Sequence, residues 1–214
     1  DGEYNYTPFE LDRLDELNKE IQTFILDPKN INTSLLQINS LNKGEILRFL
    51  QSTSFDIKKT VTLIQDHLDW KKNFYPIKIN EKVYEILNSG FMYMHGRDNH
   101  FRPIVVIRAQ VYLKLSQKYN LDEFVTAIIY FIEYLISYCL IPGQVECWNI
   151  IADLSNVSIM FLPSDLMKMF SIFQYNYRAR LCTVFVVGMS KLLNAIWSIV
   201  KKLIDAQTNK KIRF

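Results

Sequence analysis

Two carboxylates flank a short apolar run in the stretch GQVECWNIIADLSNVS, residues 143–158, and hydrolases place an acid and a base around buried strands in this way. Glu146 precedes the run and Asp153 ends it. If residues 147–152 form an extended strand, the two side chains lie roughly 20 Å apart or more. Paired-carboxylate chemistry on glycosides needs a separation of about 5–10 Å. The spacing excludes a catalytic pair and favours an Asp153 that hydrogen-bonds the following turn.

The sequence lacks the other common motifs of catalysis and of metal or nucleotide binding. His67, His95 and His100 have no HxxxH or HExxH spacing, and no CxxC occurs, so we predict no metal site and no cofactor. Neither GxGxxG nor GxxxxGK(S/T) is present, and no strand is followed by a GxSxG turn. MHGRD is only faintly similar to a kinase catalytic loop, and we interpret residues 95–98 as a turn that enters a strand. We expect a protein that is not an enzyme.

The composition is rich in apolar side chains. Apolar residues make up 49% of the chain and aromatic residues 14%, while 22% are charged. This balance excludes disorder and leaves spare apolar surface to line a cavity. The net charge of +3 is too small to indicate nucleic acid. Three cysteines without CxxC spacing indicate reduced thiols in a cytoplasmic protein, and we expect a monomer. The chain begins with Asp, so we expect the natural N-terminus and any targeting signal to lie outside it.

The first 80 residues have a helical pattern throughout. Apolar stripes at helical spacing occur at residues 8–26, 43–52 and 56–74, with a polar, Asn-rich linker between the first two. Asp56 is placed to cap the third helix, and Pro76 lies beyond its end. We predict a helical N-terminal bundle.

Beyond residue 100 the pattern alternates between short β-branched runs and longer helices. We predict strands at 102–110, 147–155 and 181–189, and helices at 122–141, 162–177 and 190–207. Strands that alternate with helices of this length indicate crossover connections and largely parallel strands. The predicted fold class is α/β: an N-terminal helical bundle followed by a domain with a mixed, largely parallel sheet.

The last predicted helix is more apolar than a surface helix needs to be. A polar stripe that includes Lys201 and Lys202 runs along one side. The remaining apolar positions include Leu193, Ile196, Trp197, Val200, Leu203 and Ile204. This pattern is typical either of a core helix or of a lid that covers an apolar ligand and meets the bilayer when open. The tryptophan and the lysines suit a membrane interface.

Four segments, in this order, resemble the CRAL-TRIO lipid-binding family, in particular its phosphatidylinositol/phosphatidylcholine-transfer branch. ILRFLQSTSFDIKKTVTLIQDHLDWKK (46–72) is similar to the family's N-terminal helical segment, and HGRDNHFRPIVVIR (95–108) to its charged turn and strand. Residues 143–158 are similar to its second strand and Asp-Leu turn. Residues 174–214 are similar to a further strand, the gate helix and a final K-I-x-F that opens the next strand.

The resemblance implies two domains. Residues 1–82 correspond to the helical N-terminal region, and residues 83–214 to the lipid-binding domain, which we expect to be cut short at its C-terminus. In this family the sheet forms the floor of a deep apolar cavity and a mobile helix forms its lid. Members extract one lipid from a membrane, shield its acyl chains and release it elsewhere. The implied partners are a phospholipid or another lipid and, transiently, a membrane surface, in a cytoplasmic, peripheral location.

The resemblance also implies which side chains meet the lipid. The expected pocket residues are Met94, Val105, Ile107, Trp148, Ile150, Phe173 and Val186. The expected head-group contacts are Lys201, which retains the family's gate lysine, and Thr53, Ser54 and Lys168. Thr53 and Ser54 stand where phosphatidylinositol-binding members have an Arg-Lys pair, and Lys168 stands at the place of a Glu. A phosphorylated inositol needs several cationic or multidentate partners, so these changes put phosphatidylinositol specificity in question.

The choline-phosphate contacts of the family are altered as well. Trp148, Met94 and Val105 occupy the places of a serine and tyrosines. Two hypotheses follow: a lipid carrier for phosphatidylinositol, another phospholipid or a different apolar molecule, and a protein-interaction module of the same fold with a filled pocket. Trp148 is either a wall that reshapes the lipid site or a plug that removes it.

Overall fold

The computed structural model of the chain describes residues 5–27, 34–157, 163–189, 197, 201, 202, 204 and 206–214. The chain divides into two compact units. The first comprises Asp1–Pro76 with the short segments Pro142–Gln144 and Tyr175–Ala179. The second comprises Ile77–Ile141, Val145–Gln174 and Arg180–Phe214.

The N-terminal segment of the first unit contains helices and, over its described residues, no strand. Its elements are α1 (Pro8–Leu26), a 3-10 helix (Ser34–Ser40), α2 (Lys43–Ser52) and α3 (Ile57–Phe74). The three predicted helices are confirmed. The 3-10 helix was not expected, because its sequence follows an Asn-rich stretch without a clear apolar period.

Local chemistry at the N-termini explains why these helices begin where they do. Thr7 Oγ1 accepts from the backbone N of Glu10 at 3.2 Å, and Glu10 Oε2 accepts from the backbone N of Thr7 at 2.9 Å. Asn42 and Glu45 form the same reciprocal pair at the start of α2. Asp56 Oδ1 accepts from the backbone N of Lys59 at 3.1 Å, as predicted for α3. Each cap satisfies amide groups that the first helical turn leaves unpaired.

The apolar stripes of these helices meet in one core cluster that lies within the first unit. Its buried members are Leu14, Leu17, Ile21, Leu35, Ile38, Leu41, Leu47, Phe49, Leu50, Val61, Ile64 and Leu68. The cluster draws on all four elements, so packing rather than helix propensity alone stabilises them.

The second unit combines helices with a sheet. Its elements are α4 (Glu81–Asn88), β1 (Met92–Arg97), β2 (Pro103–Arg108), α5 (Ala109–Leu115), α6 (Leu121–Tyr138), β3 (Trp148–Asp153), α7 (Pro163–Asn176), β4 (Leu181–Val187), α8 (Ala206–Asn209) and β5 (Ile212–Arg213). The last two residues of α7 belong to the first unit. The strands predicted at 102–110, 147–155 and 181–189 are confirmed as β2, β3 and β4.

The five strands lie in one sheet in the order in which they occur along the chain. β1 is antiparallel to β2, and the three pairs from β2 to β5 are parallel. Helices α5 and α6 connect β2 to β3, and α7 lies between β3 and β4, as parallel pairing requires. The predicted α/β fold with a mixed, largely parallel sheet is confirmed, and β5 opens where the K-I-x-F motif was expected to begin a strand.

Helix α4, strand β1 and helix α5 were missed from the sequence, and the interpretation of residues 95–98 was wrong. His95, Gly96 and Arg97 belong to β1, and the turn spans residues 98–102, where the backbone N of Asp98 donates to the carbonyl of Arg102 at 3.0 Å. As an edge strand, β1 pairs on one side and leaves most of its residues exposed or half-buried, so it has no apolar alternation to detect.

An aromatic triad joins α5 and α6 to the residue that precedes β1. The rings of Phe91 and Tyr112 lie 5.9 Å apart, and those of Phe91 and Phe124 5.5 Å. Tyr112 and Phe124 complete the triangle at 4.7 Å in an edge-on contact. All three side chains are buried. The two pairs that involve Phe124 are edge-to-face, and such pairs add to the free energy gained from burial.

The helix predicted at 190–207 falls mostly outside the described residues. Trp197 is helical, whereas Lys201 and Lys202 lie in a turn. The prediction of one helix continuing to residue 207 is therefore wrong at its C-terminal end. The short helix α8 follows as a separate element.

Candidate functional site

The register of the sheet places most of the predicted pocket residues on one side of it. Met94 pairs with Val105, and Val105 pairs with Ile150. Ile107 pairs with Ala152, which pairs with Val186. Directly paired residues share a face, and side chains alternate along each strand. Trp148 lies two positions before Ile150 and therefore belongs to the same face.

We refer to this side as the apolar sheet face, defined by Met92, Met94, Val105, Ile107, Trp148, Ile150, Ala152, Val184 and Val186. Trp148 is 5% exposed and Val105 3% exposed. Met94, Ile107, Ile150 and Val186 are half-buried. Six of the seven predicted pocket residues thus lie together; none is charged, and the indole N–H of Trp148 is their one polar side-chain group.

The opposite side of the sheet has a different character. Phe185 is 46% exposed and Val187 43% exposed, whereas Asn149 and Val106 are buried. This side mixes polar and apolar residues. The seventh predicted pocket residue, Phe173, is half-buried on α7 and is not part of the sheet.

The two predicted head-group residues of the first unit sit at the end of α2. Thr53 is its C-cap. Its hydroxyl lies 2.7 Å from the hydroxyl of Thr60 and 2.9 Å from the carbonyl of Leu50. Ser54 is exposed and has a φ of 55°. The Thr53 hydroxyl is therefore engaged in closing the α2–α3 turn.

The other two predicted head-group residues belong to the second unit. Lys168 Nζ forms an ion pair with Asp122 Oδ1 at 2.5 Å, and both side chains are well exposed. Lys201 is exposed, and its carbonyl accepts from Nδ2 of Asn209 at 2.8 Å. A lysine that already has a carboxylate partner is a weaker candidate for a phosphate than a lysine whose charge faces solvent.

Most of the predicted gate residues, namely Leu193, Ile196, Val200 and Leu203, lie outside the described residues. Two are described. The ring of Trp197 lies 5.1 Å from that of Phe214 in an edge-on contact. Ile204 is buried.

A polar network that the sequence did not predict surrounds the start of β2 and β3. Arg102 Nε donates to Asp98 Oδ2 at 2.7 Å, and Arg102 Nη1 donates to Cys182 Sγ at 2.8 Å. Nδ2 of Asn149 donates to Asp98 Oδ2 at 2.8 Å. Burial opposes the charge of Asp98, but the hydrogen bonds from Arg102, His100 and Asn149 outweigh it and lower the pKa of Asp98 to about 2. The Asp98 hydrogen bond raises the pKa of Arg102.

The two carboxylates that flank β3 have separate partners. Arg180 Nη1 donates to the carboxylate of Glu146 and to its carbonyl oxygen at 3.0 Å. Asp153 Oδ1 accepts from the backbone N of Ser155 at 2.9 Å, which confirms the predicted turn. The hydrogen bonds from Ser155 lower the pKa of Asp153. Each carboxylate is thus engaged within its own part of the fold.

The described part of the second unit contains a cavity of about 390 Å³ between the ends of α4 and α5. Its lining includes Tyr84, Glu85, Leu115, Lys118 and Tyr119. Lys118 Nζ donates to Glu85 Oε2 at 2.7 Å, and the Tyr119 hydroxyl also donates to that carboxylate. None of the predicted pocket residues lines this cavity.

The described residues lack two further features. They contain no group of three or more His, Cys, Asp or Glu side chains arranged to hold a metal ion. No helix among them combines the length and the apolar character needed to cross a bilayer.

With the sheet and its apolar face established, comparison with known proteins identifies the class. Residues 87–214, more than half of the chain, match the family model described as CRAL/TRIO domain. The chain therefore belongs to the CRAL/TRIO domain family.

Individual relatives are distant in sequence and longer than this chain. A phosphatidylinositol/phosphatidylcholine transfer protein, SFH9 of Arabidopsis thaliana, is 25% identical over 97% of this chain and 39% of its own length. A second Arabidopsis protein of that description, SFH12, is 24% identical over 78% of this chain and 34% of its own length. The chain thus spans well under half of the length of these relatives.

A solved structure supports the fold. The crystal structure of Sfh5 superimposes with a TM-score of 0.70, at 18% sequence identity, over 99% of this chain and 81% of that one. At this identity the match establishes the shared fold alone.

Proposed function

We propose that this chain binds one lipid against the apolar sheet face and transfers it between membranes. The observation that supports this most is the register, which aligns Met94, Val105, Ile150, Ile107 and Val186 on one side of the sheet. Moving an acyl chain out of a bilayer requires an equivalent apolar environment, because each exposed methylene costs about 0.8 kcal/mol. Membership of the CRAL/TRIO family and the description of the Arabidopsis relatives point to the same role.

The decisive experiment combines ligand identification with transfer. The chain is purified, examined by native mass spectrometry and extracted with organic solvent, and transfer of radiolabelled phosphatidylinositol and phosphatidylcholine between vesicles is measured. We expect a co-purified lipid and protein-dependent transfer. A chain that carries no lipid and transfers neither phospholipid contradicts the proposal.

A matched pair of variants tests the assignment of the face. Val186 and Val187 are neighbours on β4 whose side chains lie on opposite sides of the sheet, and Val187 is 43% exposed. We expect Val186→Asp to reduce transfer at least about tenfold, since a carboxylate against an acyl chain costs several kcal/mol. Val187→Asp leaves transfer near the wild-type rate. Equal rates for two folded variants contradict the assignment.

The head-group residues favour a phospholipid that does not need several cationic partners. Lys168 is paired with Asp122, and the Thr53 hydroxyl is bonded within the α2–α3 turn. Ser54 and Lys201 are exposed, and of these two only Lys201 carries a positive charge. We propose phosphatidylinositol or another singly charged or zwitterionic phospholipid as cargo, in preference to phosphorylated inositides. The test adds unlabelled lipids of each class to the transfer assay. We expect singly charged and zwitterionic phospholipids to reduce transfer of the radiolabelled lipid more than phosphorylated inositides do.

Membrane contact forms part of the proposal. Lys201, Lys202, Lys210 and Arg213 are exposed near the C-terminal end of the described chain. Basic side chains near an anionic bilayer contribute about 1 kcal/mol each. We propose a transient, peripheral association with cytoplasmic membrane surfaces, and Trp197 with these charges suits the interface. Sedimentation with vesicles that contain increasing phosphatidylserine tests it, and binding insensitive to anionic lipid contradicts it.

One observation favours a second candidate, a protein-interaction module with a filled pocket. Trp148, the largest side chain of the apolar sheet face, is only 5% exposed. Trp148→Ala separates the two functions. A loss or change of lipid selectivity identifies Trp148 as part of a lipid site, whereas lipid binding that appears only in the variant identifies Trp148 as a plug.

A further inference from the structure

Two thiols come together where β3 and β4 begin. Cys147 directly precedes β3, and Cys182 is the second residue of β4. The pairing passes from Trp148↔Leu181 to Asn149↔Thr183, so Cys182 is an extra residue without a partner in β3. A bulge of this kind re-aims a side chain. Cys147 and Cys182 are the chain neighbours of Trp148 and Leu181, which pair directly, and their side chains are close enough to interact.

The two sulfurs have different surroundings. Arg102 Nη1 donates to Cys182 Sγ at 2.8 Å, and an arginine keeps its charge at all relevant pH values. Arg102 thus places a fixed positive charge directly against the Cys182 sulfur, and reactive cysteines occur in electropositive, partly exposed surroundings of this kind. Burial and the neighbouring Cys182 raise the pKa of Cys147, so Cys147 remains a protonated thiol.

The cation beside Cys182 is itself held in place. Asp98 Oδ2 accepts from Arg102 Nε at 2.7 Å and from Asn149 Nδ2 at 2.8 Å. Asn149 is buried in the strand that follows Cys147. The guanidinium therefore has little freedom to leave the sulfur, and the carboxylate, the amide and the two thiols form one connected group in the second unit.

We propose that Cys182 and Cys147 form a peroxide-reactive thiol pair, a modification site separate from the lipid-binding role. The Cys182 thiolate attacks the terminal oxygen of a hydroperoxide, the O–O bond breaks, and the departing alkoxide or hydroxide takes a proton from solvent. This step gives a sulfenic acid at Cys182 and an alcohol or water. The Cys147 sulfur then attacks the Cys182 sulfur, its proton leaves with the hydroxyl as water, and a disulfide forms. The thiols lose two electrons, and the peroxide gains them.

The third cysteine supplies an internal comparison. Cys139 is buried at the C-terminal end of α6, whereas Cys147 and Cys182 are half-buried and within reach of a small oxidant. Because thiolate character and access both control oxidation, Cys139 is expected to react much more slowly than Cys182.

The test uses the full chain, fully reduced, with hydrogen peroxide as the oxidant. We expect the intact mass to fall by two hydrogen atoms, peptide mapping to identify a Cys147–Cys182 link, and dithiothreitol to reverse it. Cys147→Ser halts the reaction at a Cys182 sulfenic acid that dimedone traps. Cys182→Ser prevents both products, and Cys139→Ser changes neither.

The role of Arg102 is tested by the rate at which iodoacetamide alkylates Cys182. We expect Arg102→Met to slow the alkylation of Cys182 near neutral pH about tenfold, because the positive charge beside the sulfur is lost. If that variant does not fold, the wild-type chain decides, because Cys182 must be alkylated faster than Cys147 and Cys139. Alkylation of Cys182 that is no faster than that of the other two cysteines, or a peroxide product without the Cys147–Cys182 link, overturns the proposal.

Discussion

Asn149 Nδ2 donates to Asp98 Oδ2 at 2.8 Å, and this bond ties β3 to the turn that joins β1 and β2. Asp98 Oδ1 accepts from the backbone N of His100 and of Arg102, both at 2.9 Å. One carboxylate thus organises the turn and binds it to a strand 51 positions further along the chain. Since Asn149 is buried, its amide needs such a partner.

This arrangement predicts a specific dependence of stability on pH. The pKa of Asp98 is about 2 in the folded chain and about 3.9 in an unfolded one. Because the folded value is the lower one, ionised Asp98 stabilises the fold above about pH 4, and the contribution is lost as the pH falls toward 2. The measurement is the urea midpoint of wild type and Asp98→Asn across this range.

We expect the wild type to be the more stable protein near neutral pH and the two midpoints to converge in acid. Asn149→Ala removes one donor to Asp98, so its midpoint is expected to depend less on pH than that of the wild type. A difference between wild type and Asp98→Asn that stays constant from about pH 7 to about pH 2 would contradict the assignment.

Within α3, we expect the buried Thr60 to contribute more to stability than the exposed Thr62. Its side chain is fully buried, and its hydroxyl donates to the carbonyl of Asp56 at 2.7 Å and contacts the hydroxyl of Thr53. Thr60→Val keeps the shape but removes these bonds, and we expect a loss of about 1–2 kcal/mol in the free energy of unfolding. Thr62→Val is the control, because Thr62 is exposed and its loss is expected within about 0.5 kcal/mol. Equal losses for the two variants would refute this role for Thr60.

At two glycines with positive φ, we expect substitution by alanine to reduce stability by very different amounts. Gly188 has a φ of 70°, and a Cβ there would lie 2.6 Å from the backbone N and 2.8 Å from the Cα of Ser155, and closer still to its Oγ. Gly96 has a φ of 66° with nothing within 4 Å. Gly96→Ala therefore carries only the backbone strain of about 1 kcal/mol.

We expect Gly188→Ala to cost at least about 3 kcal/mol, because the backbone of the turn after β3 must also move. Thermal unfolding of the two variants, followed by circular dichroism, gives the comparison. A Gly188→Ala variant as stable as Gly96→Ala would show that this turn yields easily to the added methyl group.

For the Arg180–Glu146 ion pair, we expect replacement of Arg180 to reduce stability more than replacement of Glu146. The side chain of Arg180 is 8% exposed and that of Glu146 25%. Arg180→Met leaves Glu146 without its guanidinium in a partly buried site, and we expect a loss of about 3 kcal/mol. Glu146→Gln retains an oxygen that accepts from Arg180, so a smaller loss is expected. Urea unfolding measures both, and the reverse order would contradict this account.

Elements with strong local signals could be predicted from the sequence. Asp56 before an apolar stripe predicted α3, and β-branched runs predicted β2, β3 and β4. Because side chains alternate along a strand, residues chosen two apart on β3, such as Trp148 and Ile150, lie on one face whatever the exact register.

The contacts between distant segments could not be predicted in this way. The sequence shows neither that Asn149 reaches Asp98 nor that Arg102 lies beside Cys182, since these pairs depend on how the strands associate. Edge strand β1 was missed because its MYMHGR sequence lacks the apolar alternation of a half-buried strand. The bulge at Cys182 depends on pairing between strands, which a single-strand pattern does not contain.

Each of the two units contains a tryptophan whose fluorescence can report on that unit. Trp70 stacks between His67 and Phe74, with ring distances of 5.7 and 5.3 Å, in the first unit. Trp148 is buried in the sheet of the second. With Trp197 replaced by Phe, a chain that keeps only Trp70 or only Trp148 reports the intrinsic fluorescence of one unit at a time. Emission from Trp148 then responds to ligands that reach the apolar sheet face, and emission from Trp70 follows the helical unit independently.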